Sequence, residues 1–435
     1  MKAKSIILLG FFSFALASSF ISCGGGGSNS GGGEEEPPVT NEECSDITKM
    51  IVYIDASASI KGYFSDGSDG KFGNAITNLA QYKGLNSPVY FWGDKTRVNT
   101  SVDAKGGVNA SLRARSGYGQ DSYFNKMFQS MAQLIINDSV DAACLVTDGI
   151  YGVGNDLTKK DSEHAVKTLR DFKGAIKNVF SDKNLSDKNL SDKNLSDKNL
   201  SGKNLSGKNL SGKNLAVGIF KLSGKFSANS KGCAYITYQN VNISPISIDN
   251  RPFYVIVIGK PEKVNSFSKN NELGAELSLV LGGHDINMHN SLRLSDLKHF
   301  DKGNVWKGNK NDSKTNLCVK FPPCIGNDNY IKDNIIVTLN GKEIDNFTIS
   351  NSRLSITAEI ENNASVRPKK ENEFRVVIKN SIPKEWTTLY NEDDKNIKSI
   401  DSIQGKTFGL KYLLEGLLEG TCSDNLVDIS FKFKK

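Results

Sequence analysis

The sequence has few histidines, and its cysteines lack the spacing of a zinc site. Its 435 residues include four histidines and seven cysteines, and no C-x-x-C unit occurs. Structural zinc sites usually repeat such units, so the cysteine spacing argues against one. A serine hydrolase needs a histidine base beside its nucleophile. One histidine, His164, falls on a predicted surface helix, and the others lie in or near the last third of the chain, which disfavours a triad.

The body of the chain also lacks long apolar runs and a strong charge. After the first 22 residues, no apolar run approaches the length of a membrane-spanning helix. The formal net charge is +7, but the leader contributes two lysines and a low-complexity repeat contributes a further three positive charges. A nearly balanced body without a basic stripe gives no indication of nucleic-acid binding. The length predicts two domains plus tails.

The N-terminus reads as a targeting segment. Lys2 and Lys4 precede an apolar run from Ile6 to Ile21, which is typical of a signal peptide. The segment 20–23, Phe-Ile-Ser-Cys, resembles a bacterial lipobox, although an ordinary cleaved secretory signal is the alternative. We therefore expect a signal peptide over 1–22, a lipid on Cys23 and a flexible tether over 23–45. This predicts a protein anchored in the bacterial cell envelope, at the outer membrane or the cell surface.

Export would permit disulfides among the other cysteines. Cys318 and Cys324 bracket a short prolyl loop that a bridge could close, so they form the preferred pair. Cys44 with Cys233 is a weaker pairing. Cys144 lies within a predicted core strand, where a buried thiol is expected.

Two apolar runs end at aspartates. The run 50–54 stops at Asp55, which is followed by Ser57 and Ser59, and the run 142–147 stops at Asp148, which is followed by Gly149. Unbroken apolar runs of this length are typical of strands buried on both faces. Parallel strands present their carboxyl ends at one edge of a sheet. Asp55 and Asp148 are therefore expected to meet.

Strands alternate with helical patterns over residues 46–270. Apolar residues at helical spacing predict helices near 72–83, 124–135 and 164–179, and further strand-like runs occupy 88–94, 216–222 and 251–259. This alternation predicts an α/β domain with a doubly wound, parallel, Rossmann-like sheet that the last of these strands closes. Seven pentapeptides fill 181–215 and bury little, so they predict a loop at the edge opposite Asp55.

Residues 271–435 have a different texture. Alternating runs near 335–339, 354–360, 374–378 and 429–433 predict strands, and Asn340-Gly341 is a strong hairpin signal. One helix is predicted over 408–418. We therefore expect a second, β-rich domain over 271–435, with a sandwich-like arrangement.

The two strand ends resemble the metal-ion-dependent adhesion site of von Willebrand factor type A (VWA) domains. The resemblance covers roughly residues 47–270 and rests on Asp55-Ala-Ser57-Ala-Ser59 and Thr147-Asp148-Gly149. It implies a Mg²⁺ site (or one for Mn²⁺ or Ca²⁺) with Asp55, Ser57, Ser59 and Asp148 among the ligands. It also implies binding of an acidic side chain from a partner protein. Oxygen ligands of this kind suit a hard divalent cation.

The middle loop departs from the family pattern. The family has a threonine after a glycine there, whereas this chain has Gly119-Gln120-Asp121-Ser122. If Asp121 coordinates the metal, the site becomes net negative and attracts an acidic ligand less strongly. If Ser122 coordinates it, neutrality is kept. Both alternatives stay open at the level of sequence.

Other functional classes compete with metal-dependent binding. A strand-end aspartate could be the nucleophile of a phosphoryl-transfer enzyme of the haloacid dehalogenase type. Those enzymes carry a second aspartate two residues later, where this chain has Ser57. A metal-free structural scaffold is the third class. We expect a protein-binding protein that is not an enzyme, with a role in adhesion or envelope assembly.

Overall fold

The computed structural model describes the chain in segments. These are residues 46–92, 97–101, 107–114, 118, 122–151, 162–180, 215–227, 235–236, 242–243, 247–270, 273–282, 298–300, 305–307, 314–320, 334–345, 347–350, 355–361, 371–379, 381–391, 404–422 and 425–434. The predicted signal peptide, Cys23 and the tether lie outside these segments, as does the repeat over 181–214.

Strands and helices alternate from residue 50 to residue 282. In chain order the strands are β1 (Met50–Asp55), β2 (Val89–Trp92), β3 (Arg97–Ser101), β4 (Ala142–Thr147), β5 (Ala216–Ser227), β6 (Tyr235–Ile236), β7 (Asn242–Ile243), β8 (Ser247–Gly259) and β9 (Leu277–Gly282). The α-helices are α1 (Lys71–Ala80), α2 (Val108–Ala114), α3 (Phe124–Ile136), α4 (Ser162–Val179) and α5 (Pro261–Asn270). Two short 3₁₀ helices cover Ala58–Tyr63 and Tyr82–Gly84.

Seven of these strands form one mixed sheet, in the order β3-β2-β1-β4-β8-β5-β9. β1 runs parallel to β2 and β4, while β8 runs antiparallel to both of its neighbours, β4 and β5. The α/β class is therefore confirmed, but the expectation of a wholly parallel sheet closed by β8 is wrong. A parallel return needs a crossover, usually a helix. The described residues between β5 and β8 are instead the short hairpin of β6 and β7.

Helices cover both faces of the sheet. Along β1, Met50, Val52 and Ile54 face a core shared with α1, α2 and α5. Ile51 and Tyr53 point the other way, into a core shared with α3 and α4. Successive side chains of a strand point to opposite faces. A strand buried on both sides must therefore be apolar throughout, which explains the unbroken run that precedes Asp55.

The flanks of the repeat lie where the sequence predicts them. Ala216, at the start of β5, pairs with Gly259, which also pairs with Ala142 at the start of β4. Strand β5 thus begins at the edge of the sheet that is opposite Asp55 and Asp148.

Later residues form smaller sheets and complete the first one. The remaining strands are β10 (Lys298–Phe300), β11 (Val305–Lys307), β12 (Lys314–Lys320), β13 (Ile335–Leu339), β14 (Lys342–Glu343), β15 (Phe347–Ser350), β16 (Ser355–Glu361), β17 (Glu371–Lys379), β18 (Tyr390–Asn391), β19 (Thr407–Phe408) and β20 (Asn425–Lys434). The helices are α6 (Lys384–Thr387) and α7 (Leu410–Thr421).

The β-rich texture of this region is confirmed. A six-stranded sheet has the order β10-β11-β20-β17-β13-β14, and β12, β16 and β15 form a three-stranded antiparallel sheet. In the larger sheet only β11 and β20 are parallel. Asn340 and Gly341 have φ values of 53° and 80° between β13 and β14, as a tight hairpin turn requires. The sandwich arrangement stays a prediction.

One strand and one helix of the predicted second domain complete the first sheet and its helix layer. β9 pairs with β5 at the edge of that sheet, and Leu410, Leu413, Leu414 and Leu417 of α7 lie in the core beneath α3 and α4. The sheet and its helix layer therefore extend beyond the predicted boundary at residue 270, within the compact unit Cys44–Lys435. Among the described residues, no helix combines the length and apolar character needed to cross a bilayer.

Glycines allow α7 to approach α4 closely. A Cβ placed on Gly416 would lie 2.9 Å from the carbonyl oxygen of Lys173 and 2.9 Å from the Cβ of Ile176. At the rim of the same interface, Lys173 forms ion pairs with Glu415 and Glu419 at 2.9 and 2.6 Å. The contact thus combines close backbone packing with a charged border.

We expect Gly416→Ala to destabilise the protein by about 1–3 kcal/mol, because the added methyl group overpacks the interface of α4 and α7. Gly174→Ala is the matched control. It lies in α4, where an added Cβ would have no atom within 4 Å, so removing glycine should stabilise the helix by up to about 1 kcal/mol. Chemical denaturation of both variants measures the two changes. Equal effects of the two substitutions would contradict the close contact.

Candidate functional site

The register of the sheet brings the two strand ends together. β1 and β4 are parallel neighbours in which Ile54 pairs with Val146. Asp55 therefore lies beside Thr147, and Asp148 is the next residue along. Gly149, with φ of +73°, then turns the chain away from the sheet in a conformation that favours glycine.

Asp55 is buried and only half satisfied. Its Oδ2 accepts hydrogen bonds from the hydroxyls of Ser122 at 2.7 Å and Thr147 at 2.8 Å. Its Oδ1 is buried and accepts no hydrogen bond within the described part of the chain. Because buried polar atoms nearly always have a partner, this oxygen marks a position where a ligand atom is expected.

The surroundings make Asp55 hard to ionise. Burial is the largest effect, and the nearby charge of Asp148 adds to it, so that the pKa of Asp55 rises to about 7. The hydrogen bonds from Ser122 and Thr147 favour the charged carboxylate and oppose this rise. A bound cation would relieve both unfavourable effects.

Asp148 has a charged partner of its own. Its Oδ2 accepts a hydrogen bond from Nη2 of Arg251 at 3.1 Å, and its Oδ1 accepts one from the backbone N–H of Ile150 at 3.1 Å. Burial raises the pKa of Asp148, while the charge of Arg251 and a hydrogen bond from Ser59 lower it. Because a guanidinium does not lose its proton in proteins, the pair holds one fixed positive charge inside the site.

The serines after β1 complete the cluster. The Ser57 and Ser59 hydroxyls are 2.9 Å apart, and the Ser59 side chain donates a hydrogen bond to Asp148. Ser57 directly precedes the 3₁₀ helix, and Ser122 lies two residues before α3. The exposed fraction is 0% for Asp55 and Asp148, 2% for Ser57 and Ser122, and 9% for Ser59. Three separate loops thus contribute oxygen atoms to one buried cluster.

Five predicted residues come together here: Asp55, Ser57, Ser59, Ser122 and Asp148. Asp121, the alternative to Ser122, lies outside the described residues. Sequence reasoning omitted Thr147 and Arg251 from the site. Thr147 belongs to the quoted motif, and Arg251 is the one charged residue in the apolar run 251–259. A charged residue in such a run needs a buried partner, so the sequence could have identified Arg251 as a candidate site residue.

Two of the seven cysteines have described side chains. Cys144 is a buried free thiol, as predicted, and Cys422 is also free. Cys23, Cys44, Cys233 and Cys324 lie outside the described residues, and of Cys318 only the backbone in β12 is described. The proposed bridge between Cys318 and Cys324 stays a prediction.

The donor set fits a hard divalent cation. Asp55, Asp148 and four hydroxyls provide only oxygen atoms, which Mg²⁺ and Ca²⁺ prefer, and Oδ1 of Asp55 supplies a buried carboxylate oxygen in need of a partner. In the described segments, no group of three or more histidine, cysteine, aspartate or glutamate side chains could hold a metal. The hydroxyls would therefore have to complete the coordination.

Comparison with known proteins gives no match: no family model, curated protein or solved structure is significantly similar to this chain.

Proposed function

We propose that the region around the seven-stranded sheet is a metal-dependent recognition domain of the VWA kind. One observation carries the proposal: Oδ1 of Asp55 is buried in a cluster of carboxylates and hydroxyls and has no hydrogen-bond partner among the described residues. The parallel strands β2, β1 and β4, with helices on both faces, support it. The antiparallel β8 between β4 and β5 departs from a doubly wound sheet, yet it lies beyond the strands that carry the two aspartates.

The chain's own residues divide the work. Asp55 and Asp148 supply negative charge, while Ser57, Ser59 and Ser122 supply oxygen atoms without adding any. Ser122 already directs its hydroxyl at Asp55, which favours Ser122 over Asp121 in this role. Bound Mg²⁺ would supply a positive centre that a carboxylate of a partner protein can approach. This division keeps the site preorganised by hydrogen bonds before any ligand arrives.

We further propose that the protein is exported, lipid-anchored at Cys23, and recognises an acidic side chain of a protein ligand at the bacterial cell envelope. The signal-like segment 1–22 and the Gly-rich tether support this setting. Adhesion or envelope assembly would follow from such binding. The β-rich region would serve as a module of separate role.

Titration with Mg²⁺ tests the proposal. A hundredfold excess over the dissociation constant should add about 2.7 kcal/mol to the free energy of unfolding of the purified chain. Asp55→Asn should abolish this gain because it neutralises the carboxylate whose free oxygen faces the expected cation. Asp428→Asn is the matched control, since Asp428 pairs with Arg375 at the surface of another sheet. If Asp55→Asn responds to Mg²⁺ as wild type does, the metal site is refuted.

A metal-free scaffold is the second candidate, because one observation favours it. The guanidinium of Arg251 already lies 3.1 Å from Asp148, so part of the positive charge that a metal would bring is present in the chain. The same titration separates the candidates: in a scaffold of this kind, wild type gains no more stability from Mg²⁺ than Asp55→Asn does.

A further inference from the structure

Arg251 is held rigidly inside the site. The residue is 3% exposed, and its guanidinium carbon lies 3.9 Å from the centre of the Phe226 ring and 5.4 Å from that of Tyr63. The Tyr63 hydroxyl donates a hydrogen bond to the carbonyl of Pro252, the neighbour of Arg251. Cation–π contacts gain strength when they are desolvated. The arginine is therefore fixed by the 3₁₀ helix, β5 and β8 together.

Tight packing also fixes the ring beneath the guanidinium. A Cβ added to Gly62 would lie 2.2 Å from the Phe226 ring, so the ring and the 3₁₀ helix are in direct contact. Tyr63 packs edge-on against Phe226 with the ring centres 5.2 Å apart. These contacts leave the guanidinium little freedom to swing away from Asp148. Its charge is a permanent part of the site.

We propose that Arg251 is a built-in counter-cation that sets the metal affinity and the charge of this site. The proposal rests on the metal-dependent function proposed above. With Asp55 and Asp148 ionised, the site carries a net charge of −1 because Arg251 cancels one carboxylate. A divalent cation brings the loaded site to +1, which attracts an acidic group. Without Arg251, the empty site would be −2 and the loaded site neutral.

The charge of Arg251 lowers the affinity of the site for the metal and raises the affinity of the loaded site for an acidic ligand. A fixed positive charge repels an incoming cation, and the repulsion is strong where water is excluded. The same charge strengthens attraction for a negatively charged ligand once the metal is bound. Arg251 is thus a specificity-determining residue that favours acidic partners, and it does so without touching the ligand.

Calorimetric titration of the full chain with Mg²⁺ alone tests this role. Arg251→Gln removes the charge but keeps an N–H donor for Asp148, so it should bind Mg²⁺ roughly tenfold more tightly than wild type, or better. Arg375→Gln makes the same chemical change at the exposed pair with Asp428 and should behave as wild type. A purely structural role for Arg251 predicts the opposite sign, weaker binding in Arg251→Gln.

The outcomes separate this proposal from the proposed function. If wild type binds Mg²⁺ and Arg251→Gln binds it equally or more weakly, the counter-cation role is overturned while the metal site stands. If Mg²⁺ binds to Arg251→Gln only, the counter-cation role is supported and a metal-dependent native function is not. Failure of every variant to bind Mg²⁺ overturns both. Should Arg251→Gln fold poorly, the thermal shift that Mg²⁺ produces must be larger in it than in wild type, and a smaller shift overturns the proposal.

Discussion

Asp55→Asn should make the metal-free protein more stable than wild type at pH 8, by roughly 3–5 kcal/mol. The pKa of Asp55 is raised to about 7 in the folded protein, chiefly by burial and then by Asp148. An unfolded aspartate titrates near 3.9. Between these values the folded state holds a proton that the unfolded state has lost, so rising pH lowers the stability of wild type. Asparagine resembles the protonated carboxyl group and avoids this loss.

Urea denaturation of both proteins from pH 4 to pH 8, in the presence of a chelator, measures the effect. The difference between the two free energies of unfolding should be smallest near pH 4 and should grow up to about pH 7. Other titrating groups contribute to both proteins and largely cancel in the difference. A constant difference across this range would show that Asp55 does not resist ionisation. A hundredfold excess of Mg²⁺ over the dissociation constant should narrow the difference by about 2.7 kcal/mol, because only wild type gains stability from the metal.

Arg251→Ala is expected to destabilise the protein by about 3–5 kcal/mol. Arg251 and Asp148 form an ion pair in which both side chains are almost fully buried, with exposed fractions of 4% and 0%. Removing one partner leaves the other as an unpaired buried charge, which is far more costly than losing an exposed pair. The packing of the guanidinium on Phe226 and Tyr63 is lost as well. Thermal and chemical denaturation at neutral pH measure the change.

A double-mutant cycle isolates the ion pair. Arg251→Ala combined with Asp148→Ala should destabilise the protein by less than the sum of the two single changes, because the double variant leaves no unpaired charge. The matched control is Arg375→Ala. Arg375 makes two hydrogen bonds to Asp428, at 2.7 and 2.6 Å, but its side chain is 48% exposed. Exposed pairs contribute about 1 kcal/mol or less. Additive effects at Arg251 and Asp148 would contradict a direct, buried pair.

Local patterns were sufficient for the elements and for most of the site. The apolar runs before Asp55 and Asp148 predicted β1 and β4, and the helical spacing of Phe124, Met127 and Met131 predicted α3. The reason is that a buried face makes apolar residues recur at a fixed spacing, which is two residues for a strand and 3.6 residues for a helix. Because β1 and β4 are parallel neighbours, their terminal aspartates meet as expected.

The partner of Asp148 could not be read from periodicity. Arg251 lies 103 residues away in sequence and reaches the site only because β8 enters the sheet antiparallel, between β4 and β5. An apolar strand pattern records which faces are buried, but it carries no information on the direction of the strand or on its neighbours. For the same reason, β9 and α7 were predicted to belong to the second domain, although they pack with the first sheet. Their sequence patterns resemble those of the β-rich region that surrounds them.

The sequence by itself determined which segments are strands and helices, and that two aspartates end buried strands with hydroxyls close behind. Only the tertiary structure decided the order and direction of the strands, and with them the arginine that neutralises one of those aspartates. The physical reason is that periodicity arises from local burial, whereas strand order and ion pairing depend on contacts between residues distant in the chain. The environment of Asp55 is likewise a property of the assembled fold, because the hydroxyls of Ser122 and Thr147 and the charge of Asp148 reach it from other segments of the chain.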